Sequence, residues 1–123
     1  MKIITTLLFT VIALGTAFGE EIKMPKVPET IKNEIKKSAR AKYPENYEMQ
    51  LFHYENNTEA WQTIQLLKGS LISQSDSETE KVINGEMRQI FLNAEKKWPK
   101  SYEMQLFQIK NQIEAFMKME GVQ

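Results

Sequence analysis

His53 is the only side chain in the sequence that titrates near neutrality when unperturbed, so any proton-transfer chemistry would have to begin there. Nothing around it completes a site. No Glu-x-x-His or His-x-x-x-His spacing flanks it, the chain has no cysteine, and no nucleophile elbow, Gly-rich phosphate loop or Ser-His-Asp set is detectable. His53 therefore reads as a surface histidine. The carboxylates offer a second chemistry. Glu48 and Glu59 recur as Glu103 and Glu114, and eleven residues are close to three turns of helix, so each pair shares a face. Two helices with two carboxylates each are half of a bundle metal site, but such sites also use histidines that are missing here. Glu55 lies between the first pair and Lys110 between the second, the composition of a solvated helix face. No metal, no other cofactor and no catalytic residue is expected.

Amides and apolar side chains recur more informatively. Gln50 and Gln105 are each followed seven residues later by another amide, Asn57 and Gln112, which aligns two amides along one helix edge. Gln50 and Gln105 are expected to satisfy backbone groups at a proline corner, while a paired amide edge is also suited to an extended peptide or glycan. Met49 and Phe52, repeated as Met104 and Phe107, form an apolar stripe beside each helix seam. It is core by default and a binding surface wherever packing leaves it open. Tyr47 and Tyr102 open the two stretches and complete the set of candidate interaction residues.

These residues sit in a duplication. Tyr47-Glu48-Met49-Gln50-Leu51-Phe52 reappears letter for letter as Tyr102-Glu103-Met104-Gln105-Leu106-Phe107, and the copies follow Tyr43-Pro44 and Trp98-Pro99. A shift of 55 positions also aligns Ile35 with Ile90, Ala39 with Ala94, Lys42 with Lys97, Asn56 with Asn111 and Ala60 with Ala115. The unit is a helical hairpin whose corner is the aromatic-Pro-x-x-Tyr segment. One hairpin cannot bury its apolar face and two stacked hairpins can, so the expected fold is all-α, two tandem hairpins packed as a small four-helix domain.

The helices expected within it follow from periodicity and caps. Val27, Ile31, Ile35 and Ala39 give a first helix from Pro28 to about Lys42. Asn46 caps a second, with a seam of Tyr47, Leu51, Tyr54, Thr58 and Trp61 and an end near Gly69, which Leu71 and Ile72 can extend or cap. Ser77 and Glu80 have capping-box spacing for a third, carrying Ile83, Met87, Ile90, Ala94 and Trp98. Ser101 caps a fourth, with Tyr102, Leu106, Ile109, Ile113 and Phe116 as seam and Gly121 at its end. The repeats span about 28–72 and 77–120 of a helical domain covering 28–123, behind a flexible lead-in at 20–27.

The N-terminus has a different composition. Met1-Lys2 precedes an apolar run from Ile3 to Leu14, followed by Ala17-Phe18-Gly19 and the charged pair Glu20-Glu21. The run is too short to span a bilayer as a helix and has the pattern of a signal peptide at 1–19, cut after Gly19. The expected location is outside the cytoplasm, periplasmic or extracellular, with no transmembrane segment in the mature chain. Equal numbers of acidic and basic residues give a formal net charge of +0 at pH 7, which removes the electrostatic case for nucleic acid. The aromatic-Pro-x-x-Tyr-x-Met-Gln segments resemble those of small exported bacterial proteins of unassigned function. That resemblance implies a bacterial envelope setting and no particular activity.

The functional expectation is a non-catalytic module binding a protein or peptide through the Met/aromatic stripe. One alternative is structural self-association as a homodimer through the same stripe. The other is a carboxylate-dependent glycan hydrolase, which would need two carboxylates in a cleft.

Overall fold

The computed structural model describes residues 24–72 and 78–121, with 78–83 described by backbone alone. The expected signal peptide and the Ser77 cap lie outside the described residues. Four helices follow in order: α1 (Glu29–Lys42), α2 (Tyr47–Leu71), α3 (Glu78–Lys97) and α4 (Tyr102–Met119). The fold is all-α, with no strand among the described residues. No helix among them is long and apolar enough to cross a membrane.

Each helix boundary has a local cause. Pro28, extended at φ −62° and ψ 150°, stands immediately before α1, and Glu29 places a negative charge on its first turn. Asn46 and Ser101 cap α2 and α4 through their side chains, accepting from Met49 N–H and Met104 N–H, each at 3.2 Å. Of the two expected ends of α2, extension to Leu71 and Ile72 occurs and the stop at Gly69 does not. α2 continues to Leu71 and closes with Ile72 N–H donating to the Lys68 carbonyl at 3.1 Å. Leu67 and Leu71 are both buried in the main core, and that burial outweighs the roughly 1 kcal/mol helix cost of one glycine. Gly121, at φ 75°, follows the last turn of α4.

The corners between paired helices are nearly the same object built twice. Tyr43 N–H donates to Ala39 O, and Trp98 N–H to Ala94 O, both at 2.9 Å. Asn46 N–H returns to Tyr43 O at 3.2 Å, and Ser101 N–H to Trp98 O at 3.3 Å. Lys42 Nζ lies 5.5 Å above the Tyr43 ring, and Lys97 Nζ 5.6 Å above that of Trp98. The corners differ at one residue. Glu45 takes a left-handed φ of 63°, unusual for a side chain without amide or glycine character, whereas its equivalent Lys100 does not.

α1 packs on α2 and α3 on α4, giving the two hairpins, and α2 and α4 join them while α2 and α3 barely touch. The main core gathers Ile64, Leu67 and Leu71 of α2 with Met87, Phe91 and Ala94 of α3 and Ile109, Ile113 and Met117 of α4. α1 adds Ile35 and Ala39 against the other end of α2. The periodicity expected for α1 is therefore its buried face. That expected for α2 is not, because Tyr47 is 76 % and Leu51 55 % exposed. α2 instead buries His53, Asn57, Ala60, Ile64, Leu67 and Leu71. α4 keeps its expected line at Ile109 and Ile113, with Gln105 and Met117 buried beside it. The last part of the expected lead-in is tied down, with Val27 buried and Gln62 Nε2 donating to the Pro25 carbonyl at 2.9 Å.

Candidate interaction site

The repeated glutamines serve the corners. Gln50 Nε2 donates to Tyr43 O and Gln105 Nε2 to Trp98 O, both at 2.8 Å. Each amide reaches back across its corner to a carbonyl that the helix cannot satisfy. Gln105 is buried and Gln50 half-buried, so the same bond is drier in the second copy.

The apolar stripe is open in both copies. Phe52 is 60 % exposed and Phe107 62 %, with Met104 exposed and Met49 half-buried beside them. Tyr47 is also exposed, while Tyr102 is half-buried beside the main core. Burial, with Glu34 and Glu95 nearby, raises the Tyr102 phenol above its ordinary pKa. Of the candidate residues, the structure thus brings Met104 and Phe107 together at one open site and assigns Gln50 and Gln105 to the corners.

That open site is a groove of about 400 Å³ lined by Trp98 at the corner and, along one face of α4, by Met104, Phe107, Gln108, Asn111 and Gln112. Lys97, laid over the Trp98 ring, is its only charged lining residue. Trp98 Nε1–H donates to Gln108 Oε1 at 3.0 Å and fixes the indole against α4. Asn111 and Gln112 are exposed, so their amides face the groove from a helix edge and stand available to a ligand backbone. Met104, Phe107 and the Gln112 amide are among the residues expected from the sequence to take part in binding, whereas Trp98, Gln108 and Asn111 are not. The bulky Trp98 at a corner proline, ten residues before Gln108, was the available signal.

Two further concavities lie on α1. One of about 210 Å³ runs between α1 and the start of α2, between Lys36 and Arg40 on one side and Tyr47, Leu51 and Tyr54 on the other. The second, about 480 Å³, lies between α1 and the second corner, with Ile35, Ala41, Pro99 and Tyr102 as its apolar wall. Glu34 is the only carboxylate lining any of the three. Glu48, Glu59, Glu103 and Glu114 are all exposed, and Glu114 pairs with Lys118 at 3.1 Å. No group of three or more metal-ligating side chains occurs among the described residues.

His53 departs from expectation: it is buried, 9 % exposed. It lies edge-on to Tyr43 with ring centroids 6.1 Å apart, and Ser38 Oγ stands 3.5 Å from its Nε2, at the outer limit of hydrogen bonding. Desolvation, then Lys42, lowers its pKa below the usual 6.5, against a smaller opposing effect of Glu103. The second copy has Gln108 at this position, where it holds Trp98. His53 is thus a corner-packing residue, set against Ser38 of α1 and the Tyr43 ring of the first corner. Searches against protein-family models, curated proteins and solved structures return no match to this chain.

Proposed function

We propose that this chain is a non-catalytic, exported binding module that takes an extended peptide in the groove beside the second corner. The observation that carries this reading is the juxtaposition of Trp98, Met104 and Phe107 with the amides Gln108, Asn111 and Gln112 in the lining of one groove of about 400 Å³. An extended peptide has the matching chemistry, with apolar side chains for the ring and thioether surface and backbone groups that need hydrogen-bond partners. The near-neutral lining favours an uncharged, apolar peptide over a polyanion. Phe52 and Met49 offer a lesser version of that apolar surface at the first corner.

Selection from a random peptide library on the immobilised protein tests this. The expected result is an enriched apolar consensus that disappears with Phe107→Asp and weakens by about tenfold or more with Trp98→Ala. Phe107 is largely exposed, so Phe107→Asp should keep its helical circular dichroism. No enrichment, or a consensus indifferent to Phe107→Asp, would count against the groove.

A further inference from the structure

We infer that copies of this chain associate head to tail, the open face of the first hairpin receiving the open face of the second hairpin of the next copy. The template is the junction inside the molecule. There, α2 packs on the second hairpin in a shared cluster that takes in Phe91, Ala94 and Ile109, with Tyr102 and Leu106 half-buried against it. Lys68 seals its edge, with its Nζ 3.7 Å from Glu95 and 5.7 Å above the Phe91 ring. Asn57 Oδ1 accepts the Glu103 N–H at 3.1 Å.

Moved back by 55 positions, that set gives Ala39, Tyr47, Leu51 and Tyr54, joined by Gln50 as the counterpart of Gln105. These residues line the open groove of about 210 Å³ on the first hairpin. Tyr102 and Leu106 are half-buried and Ile109 buried in the second copy, whereas Tyr47 and Leu51 are exposed and Tyr54 half-buried in the first, with Ala39 and Ala94 buried in both. The covering face repeats as well. His53, Asn57, Ala60 and Ile64 correspond to Gln108, Gln112, Ala115 and Met119. Of these, Gln112, Ala115 and Met119 are exposed, Met119 at 86 %. An amide, an alanine and an aliphatic side chain thus recur in the order that works inside the molecule. The Gln112 amide would accept from Glu48 N–H of the next copy, a first-turn donor without an intrahelical acceptor.

Charge is consistent with this pairing. Among the described residues neither Lys36 nor Arg40 is ion-paired, and they flank the groove where the second hairpin has Phe91 and Glu95. Glu120 lies one helical turn before the position equivalent to Lys68, so the Lys68–Glu95 contact within a chain is replaced by Glu120 against Arg40 between chains. Because the two faces differ, the contact is heterologous and propagates into a chain or ring rather than stopping at a symmetric pair. It shares Gln108 and Gln112 with the peptide groove but uses neither Phe107 nor Trp98, and it stands whether or not that groove binds a peptide.

Light scattering with size-exclusion chromatography across the micromolar-to-millimolar range tests it on three proteins: wild type, Leu51→Asp and Met119→Asp. Both positions are exposed, so circular dichroism should be unchanged. Wild type is expected to grow beyond two subunits with concentration, and each variant alone to lose association by about tenfold or more. Mixing the variants should restore a one-to-one complex, because each keeps the face that the other has lost. A wild type that stays monomeric, a pair that stops at two subunits, or variants that do not complement each other would overturn the inference. None of those outcomes bears on peptide selection by the Phe107 groove.

Discussion

His53 shows how one substitution between two otherwise similar corners changes what the environment does to a side chain. Its ring replaces the amide of Gln108, and it packs edge-on against Tyr43 where Gln108 accepts from Trp98. Desolvation and Lys42 hold its folded-state pKa below the unfolded value of 6.5. Between those two values the unfolded chain binds more protons than the folded one, so stability falls as pH drops through that window. Urea midpoints measured from above neutrality downward should therefore decline below pH 6.5. His53→Gln, which installs the residue used by the second copy, should flatten that part of the curve. A decline of equal slope in the variant would assign it to carboxylates instead. The histidine's burial was not legible in the sequence, because it depends on Ser38 and Tyr43, ten or more residues away, folding back against it.

At the scale of helices, legibility followed how many sides of each one are covered. α1 packs chiefly on α2, and its four-residue periodicity marked the buried face directly. α2 touches α1 on one side and α4 on another, so its apolar residues are spread around the circumference and no single stripe identifies the core. The line Tyr47, Leu51, Tyr54 copies the pattern that works in α4, yet it lies on the uncovered side. The caps at Asn46 and Ser101 were legible because they are local, whereas continuation past Gly69 depended on Leu67 and Leu71 meeting the distant α3 and α4. Gly69 and Gly85 both lie inside helices, and a Cβ at either would meet nothing within 4 Å. Gly69→Ala and Gly85→Ala should each stabilise the fold by about 0.5–1 kcal/mol. Denaturation midpoints that do not rise would show that these glycines are needed for something other than helix propensity.

For the whole molecule, the duplication predicted the two hairpins, and the tool that joins them is a buried amide. Asn57 donates to the His53 carbonyl at 2.9 Å within α2 and accepts from Glu103 N–H across the junction. Asn57→Ala should cost about 1–3 kcal/mol, the range for a buried hydrogen-bonding group left without its partner. The Glu103 amide should lose hydrogen-exchange protection in the same variant, and unchanged protection there would mean that packing alone closes the junction.

No residue of α1 belongs to the main core cluster. Its buried side chains, Ile35 and Ala39, lie outside that cluster, where α1 packs chiefly on α2. The limit of cooperative unfolding therefore falls partway along one continuous helix rather than at a linker. Amides of α1 can exchange through detachment of that helix, at a free energy below that of global unfolding, while those of α3 and α4 wait for the cluster itself to open. Such an opening would uncover His53 to solvent and relieve its desolvation, so acidification would favour detachment of α1 before it threatens the rest of the fold.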